Sequence, residues 1–398
     1  HIDHSGLLPL LYAGGFTGEI HATSATCSLC EIMLRDSAHI QEFEAEWRNR
    51  KAMRKGGDPY VPLYTTEEAL ETLKLFVPHP YDQRFSLCDG VEVRFRDAGH
   101  LLGSSSIELW LTEGETTKKL VFSGDIGNYN QPLIRDPQVP EEADYVIMES
   151  TYGNRLHEKP KGYLPALVQI LRDTFSRKGS VIIPSFAVGR TQEMLYYFKK
   201  IKDQNLLPEF GDFPIYMDSP LAIEATDVFL RNQNSCFDEE ALSYVRRGEN
   251  PIGVSGLIPA VTSDASKAIN ADKRPKVILS ASGMCEAGRI KHHLKHNLWK
   301  PENTILFVGY QADGSLGRKI VEGAKLVTLF GESVQVKAQI VQLEGMSGHA
   351  DQRGLLDWIR AIHGVQKVFV IHGASDSADA FRDKLWYGEG LDAYAPYS

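Results

Sequence analysis

Four short segments of the chain carry side chains that can ligate a metal. The first, His1-Ile2-Asp3-His4, places three potential ligands within four residues. A loop can turn all of them inward, and a solvated segment is the plain alternative. The second, Asp97-Ala98-Gly99-His100-Leu101-Leu102-Gly103-Ser104, ends a strand-like run in a glycine-flanked imidazole. The third, Phe122-Ser123-Gly124-Asp125-Ile126-Gly127, ends an apolar run in a carboxylate between glycines, which let a ligand approach closely. The fourth, Val370-Ile371-His372-Gly373, ends another apolar run in His-Gly. Singly, a lone His is more often structural and an Asp between glycines is an ordinary turn. Together they supply His and Asp at three strand ends plus one dense cluster. Zinc takes imidazole nitrogen and carboxylate oxygen, and a catalytic site keeps one position open for water. Two metals ~3.5–4 Å apart, bridged by one carboxylate, form an arrangement that hydrolyses phosphodiesters.

The elements that must position these residues alternate between strand and helix patterns. Residues 91–97 alternate apolar and polar, and 107–111, 120–122 and 145–148 read as further strands. Strands are expected again at 180–184, 215–217, 276–279, 304–308, 335–343 and 368–371, with helices over 163–177, 191–202, 354–362 and 378–386. Residues 22–41 read as a helix carrying Cys27 and Cys30. This is an α/β pattern without internal repeats, and its strands run into Gly-, Ser-, His- or acid-containing loops, the usual place for a site in an open sheet.

Length and composition narrow the classes. At 398 residues the chain exceeds the ~250–300 at which one core stops growing, so two domains are expected. With 42% hydrophobic and 24% charged residues it is globular, and no apolar run approaches a membrane span. The net charge of −9 excludes a general polyanion binder, so a nucleic-acid partner needs a local positive site. Five cysteines make no disulfide framework, and the lone Cys27/Cys30 pair lacks the second pair of a zinc knuckle, which fits a reducing compartment. The sequence starts at His1 without an initiator Met, and we expect natural residues ahead of it.

His1-x-Asp3-His4 resembles the last four residues of the HxHxDH signature of the metallo-β-lactamase superfamily, whose first His would lie two positions before residue 1. His100 and Asp125 match the next two ligand motifs in order. Glu149-Ser150-Thr151-Tyr152-Gly153, Ser347-Gly348-His349-Ala350-Asp351 and His372-Gly373 resemble motifs A, B and C of the β-CASP branch. Pro184-Ser185-Phe186-Ala187-Val188-Gly189-Arg190, Asp218-Ser219-Pro220, Ser282-Gly283-Met284 and Val308-Gly309-Tyr310-Gln311 resemble β-CASP sequence as well. The resemblance covers nearly the whole chain. Bacterial RNA-processing exonuclease-like members are the nearest match, and the branch also includes the endonuclease subunit of pre-mRNA 3′-end processing.

That resemblance implies an αββα sandwich interrupted by a β-CASP domain. The expected divisions are 1–153 (first part of the metallo-β-lactamase domain), 154–345 (β-CASP) and 346–398 (its return), with the first strands ahead of residue 1. The roughly 250 residues between Asp125 and His372 agree with an insertion. It further implies a zinc-dependent ribonuclease with two Zn²⁺ ions. His1 and His100, with the upstream His, would hold one ion, so without that His this ion would bind poorly. Asp3, His4 and His372 would hold the other, and Asp125 would bridge them. His349, held by Glu149, would be the general acid, and Asp3 would complete the catalytic set; the alternative for His349 is a capping residue for the helix over 354–362. Ser347, Ser282 and Gly283 would face substrate phosphate, while Arg190 and Arg289 would contact RNA or form structural ion pairs. Lys291-His292-His293-Leu294-Lys295-His296 reads as the polar face of a helix, with RNA contact as the alternative. His21, His39, His79, His157 and His363 are left as structural.

The implied partner is RNA, single-stranded in preference, with no membrane, a cytoplasmic location, and a homodimer left open. Competing readings are a hydrolase of a small ester or thioester, a DNA-directed relative, and a non-catalytic scaffold. The long insert argues against the first and the filled ligand positions against the last.

Overall fold

The computed structural model describes residues 2–52, 58–157, 162–343 and 346–396. Its strands form two large sheets. The first has seven strands, in the order Ala393–Tyr394, Lys367–Ile371, Tyr145–Glu149, Thr116–Phe122, Ser105–Glu113, Val91–Asp97 and Arg84–Cys88. Pairing is parallel from Ala393–Tyr394 through Thr116–Phe122 and antiparallel beyond. Val91–Asp97 and Thr116–Phe122 are both antiparallel to Ser105–Glu113, so they run the same way as each other and as the three parallel strands beyond Thr116–Phe122. Five strands therefore end at one edge, and His100, Asp125, Glu149 and His372 lie at or just after the ends of four of them.

On one face of this sheet Val121, Val146, Met148, Val368 and Val370 are buried with Leu355, Trp358, Ile359 and Phe381. The last four belong to the helices Gln352–Arg360 and Ser375–Asp383. On the other face Phe122, Ile147 and Phe369 are half-buried and Ile371 is 40% exposed. The described residues thus supply one sheet and its helix layer of the sandwich that the resemblance implies.

The second sheet has six strands, Leu257–Pro259, Ile215–Met217, Val277–Ser280, Val181–Pro184, Thr304–Phe307 and Gln339–Gln342, all parallel. Its central strands are buried at every position, as a parallel sheet covered on both faces requires. Ile183, Leu279 and Leu306 join a core shared with Tyr163–Ser176, Arg190–Asp203 and Pro220–Arg231. Ile182, Ile278, Ile305 and Phe307 pack under Ile290–Asn297 and Leu316–Val321.

Three elements differ from the sequence reading. The strand expected over 335–343 is two pieces: Glu332–Gln335 pairs antiparallel with Leu326–Leu329, and Gln339–Gln342 joins the six-stranded sheet. Apolar alternation continues across the break, so periodicity does not reveal it. Ile2, Asp3 and His4, expected in a loop, lie in a helical turn, Ile2–Ser5. The last helix, expected over 378–386, spans Ser375–Asp383 and continues as a π turn, Lys384–Gly388.

Candidate metal centre

His100 is positioned by a tight turn. The Asp97 Oδ1 atom accepts from Gly99 N at 2.9 Å, and Ser104 Oγ accepts from His100 N at 3.1 Å and Leu101 N at 3.2 Å. Gly127 N donates to Ala98 O at 2.8 Å and ties this turn to the Asp125 loop. Gly124 takes φ +59°, a left-handed conformation, and a Cβ there would run into Ser105 O, so this turn before Asp125 favours glycine.

The groups converge on the Asp125 carboxylate. Its Oδ2 lies 3.7 Å from His4 Nε2 and 3.8 Å from His100 Nε2, and its Oδ1 lies 3.4 Å from His372 Nδ1. These separations are too long for hydrogen bonds. They match two donors each ~2.0–2.2 Å from a common tetrahedral zinc, which stand about 3.4 Å apart. Donor atoms of His4, Asp125 and His372 lie within 4.8 Å of one another, as do those of His100, Asp125 and His349. Asp125 is common to both groups. His100 Nδ1 is buried without a hydrogen-bond partner, and burial, then the neighbouring His349, holds the ring's pKa down at about 4. A neutral, desolvated imidazole with Nε2 directed at a carboxylate is a donor suited to a cation. The residues present therefore fit a metal.

The remaining expected residues fall as follows. Asp3 is exposed on the Ile2–Ser5 turn, and its charge acts on His349. His1 lies outside the described residues. His372 takes φ +50°, uncommon for a residue with a side chain; Thr151 Oγ1 lies 3.3 Å from both its Nδ1 and its carbonyl oxygen. Glu149 is 2% exposed. Its Oε1 accepts from Ile126 N at 2.6 Å, its Oε2 from Thr151 N at 3.3 Å, and both oxygens face His349 Nδ1, at 3.1 and 3.2 Å. Burial lowers the pKa of His349, but the hydrogen bond and charge of Glu149 outweigh it, and the net shift is upward.

His349 does not cap the following helix; Asp351 does, its Oδ1 accepting from Gly354 N at 2.9 Å. His349 and its partner Glu149 are held by three residues to which the sequence reading gave no part in the site. Ser123 Oγ accepts from Glu149 N at 3.0 Å, Asn128 Nδ2 donates to the His349 carbonyl at 2.8 Å, and His157 Nε2 lies 2.9 Å from that carbonyl. Asn128 and His157 lie about two hundred residues from His349, so no local pattern points to them.

Ser347 sits beside the cluster, with its Oγ accepting from His349 N at 3.2 Å. Arg190 is drawn into an ion pair with Glu193 and a bond to the Met346 carbonyl, on the wall of a cavity of about 720 Å³ between the two sheets that Asn128, His157 and Ser347 also line. Arg289 pairs with Asp218 at 2.7 Å and donates to the carbonyls of Ala260 and Val261, the ion-pair alternative rather than an open RNA contact. Ser282 and Gly283 follow the strand Val277–Ser280 beside Phe186, at the edge of the six-stranded sheet that meets the His100 turn through Gly189 and Leu101. Cys27 and Cys30 are free thiols, each pushed up to about 11 by burial.

Comparison with known proteins identifies the family. The chain is 37% identical over 376 residues to Ribonuclease TTHA0252 of Thermus thermophilus, covering 94% of this chain and 80% of that protein. The chain belongs to the β-CASP branch of the metallo-β-lactamase superfamily. Residues 191–320 match the Beta-Casp domain, and residues 333–396 match the Zn-dependent metallo-hydrolase RNA specificity domain. An RNase J-like protein of Methanocaldococcus jannaschii is 30% identical over 399 residues, 100% of this chain and 85% of its own length. The transcription termination factor FttA of Methanosarcina mazei is 30% identical over 383 residues, and there the match spans 94% of this chain but 57% of the relative. In this β-CASP chain the six-stranded sheet and the cluster around Asp125 are brought together by the Arg190–Met346 and Leu101–Gly189 contacts. No helix among the described residues is long and apolar enough to cross a membrane.

Proposed function

We propose that this chain is a metal-dependent ribonuclease that hydrolyses RNA phosphodiester bonds in RNA processing or decay, with two zinc ions held around Asp125. The observation that carries the reading is that Asp125 is shared by two groups of potential ligands. His4, Asp125 and His372, with Asp3, would hold one ion; His100 and Asp125, with His1, would hold the other. Bound there, the ions supply Lewis acidity and a water that loses its proton near neutral pH.

The chain's own residues supply the other half of the chemistry. Glu149 is fixed by two backbone N–H groups, occupies His349 Nδ1 and raises the pKa of the ring, leaving Nε2 to hold a proton. As the water oxygen forms its bond to phosphorus and the P–O bond to the leaving ribose breaks, that proton passes from Nε2 to the leaving oxygen. Asn128 and His157 keep the imidazole in place by holding its backbone carbonyl. Ser347, Ser282 and Gly283 present hydroxyl and amide groups to substrate phosphates. The proposed division of the chain at 153/154 and 345/346 is supported by the change of sheet between Tyr145–Glu149 and Val181–Pro184 and the return between Gln339–Gln342 and Lys367–Ile371. Five free cysteines fit the reducing compartment proposed for it.

Metal analysis of the protein, with digestion of 5′-labelled RNA and single-stranded DNA, tests this reading. The expected result is bound zinc, cleavage of RNA in preference to DNA, and loss of cleavage on chelation that zinc restores. Full activity after chelation, or turnover of a thioester without turnover of RNA, overturns it.

A further inference from the structure

The helix Ile290–Asn297 buries Ile290, His293, Leu294 and Asn297 against the six-stranded sheet and turns Lys291, His292, Lys295 and His296 outward. Trp299 follows and is 52% exposed, with Lys300 Nζ 5.6 Å from its ring. Beside His292 stands Phe330, from the turn between the strands Leu326–Leu329 and Glu332–Gln335. The two rings are stacked at 4.4 Å, Phe330 is 50% exposed, and Lys291 Nζ lies 5.4 Å from it. The amide of Lys337 donates to the Leu298 carbonyl at 2.8 Å, which brings another exposed lysine to the Trp299 end.

Positive charge is concentrated here. Burial and then Lys273 lower the pKa of Lys300, while burial and then Lys300 lower that of His296. Acidic groups nearby include Glu332, paired with Lys295 at 2.6 Å, Glu302, whose charge partly offsets the depression of Lys300, and the buried Asp218, whose charge partly offsets the depression of His292. In a chain of net charge −9, a row of lysines bounded by two half-exposed aromatic rings is a local exception.

We propose that this stripe is a second binding track for single-stranded RNA, outside the metal-bearing cleft. The inference rests on the ribonuclease reading and extends it. Aromatic faces stack bases of any sequence, and lysines neutralise phosphates. His292 and Trp299 are separated by about 10 Å of helix rise, which spans about three stacked nucleotides at ~3.4 Å each. The helix follows the loop at the C-terminal end of Val277–Ser280, the sheet edge that approaches the His100 turn, and runs away from it. RNA held on the stripe is therefore the part of a long substrate that lies beyond the cleft. An acidic protein face would need the lysines but would have no use for an aromatic platform at each end.

The test is the affinity of the metal-loaded protein for uncleaved phosphorothioate RNAs of about 4 and about 30 nucleotides, measured across a salt series. We compare wild type with Lys291→Ala/Lys300→Ala, Trp299→Ala, and the charge-preserving Lys291→Arg/Lys300→Arg. On the long RNA the alanine pair is expected to bind about tenfold more weakly, with a log–log salt slope smaller by about 1.4, two phosphate contacts at ~0.7 each. Trp299→Ala should weaken binding with the slope unchanged, the arginine pair should bind as wild type, and the short RNA should not distinguish the proteins. Unchanged affinity and slope on the long RNA refute the track and leave an acidic protein as its occupant. Equal losses on both lengths also refute it, by showing that the substitutions act through the cleft. Cleavage of a short RNA by the alanine pair reads the ribonuclease function separately: if wild type cuts neither length, that reading fails on its own account.

Discussion

Replacing Gly348 with alanine should damage the metal centre without altering any residue that would bind the ion. A Cβ built at Gly348 lies 2.8 Å from Cε1 and 3.1 Å from Nδ1 of His100. Carbon atoms in comfortable contact stand ~3.5–4.0 Å apart, so one side must yield by about 0.7–1 Å. The backbone at 348 has little room to move. Asn128 Nδ2 holds the carbonyls of Ser347 and His349 at 2.9 and 2.8 Å, and Gln131 Nε2 holds that of Gly348 at 3.1 Å. Behind this loop, Ala350 N bonds Ile126 O at 2.7 Å. The imidazole of His100 is therefore the part that shifts, and its Nε2 turns off the line to Asp125. Losing the alignment of one ligand costs ~10–100-fold in metal affinity, and a reacting group misplaced by ~1 Å costs on the order of 10²-fold in rate. Overpacking adds about 1–3 kcal/mol of destabilisation. Chelator competition gives the zinc affinity, and thermal unfolding shows that the fold persists. A Gly348→Ala protein whose zinc affinity stays within twofold of wild type would refute the claim that this glycine makes room for His100.

Three further outcomes follow from the same structure. His349→Ala should retain its zinc and cleave RNA ~10²–10⁴-fold more slowly, yet recover most of its rate on a p-nitrophenyl phosphodiester, whose leaving oxygen needs no proton; loss of one zinc per chain would instead make His349 a ligand beside His100 and Asp125. Burial raises the Asp97 carboxyl from 3.8 to about 7 against the opposing Gly99 hydrogen bond. The stability it contributes is complete below about 3.8 and is lost as pH rises through 7, so Asp97→Asn should gain on wild type by on the order of 3–4 kcal/mol between pH 4 and pH 8, and equal differences in denaturant melts at both pH values would contradict it. Glu108 is fully buried and pairs with Arg94 at 2.5 Å and Lys119 at 2.7 Å; Glu108→Ala strands both cations and should cost ~3–5 kcal/mol in urea unfolding, with a loss under 1 kcal/mol counting against a net role for the pair.

Three of the proposed ligands, His100, Asp125 and His372, stand out in the sequence because each sits where an apolar run stops. A strand that ends in Gly-His or Gly-Asp states its own position in the sheet, and four strands running the same way bring their ends to one edge. The buried strands of the six-stranded sheet were legible for a similar reason, since Val181–Pro184, Val277–Ser280 and Thr304–Phe307 are apolar and covered on both faces. The break between Glu332–Gln335 and Gln339–Gln342 was not, because the same alternation serves a hairpin and a sheet edge.

What only the tertiary structure decided is how the site is supported and which polar residues are engaged. The sequence sets Arg190 and Arg289 down as cations with two possible uses; folding brings the Met346 carbonyl to one and Asp218 to the other. It leaves His157 and Asn128 unremarkable, and folding aims both at the carbonyl of His349 from about two hundred residues away. It gives Gly348 as one glycine among 34, and folding sets it against the His100 ring. Ligand identity is written locally because a metal asks for particular atoms at a strand end. The supporting contacts depend on distances between chain segments remote in sequence, and those distances exist only after both sheets have packed.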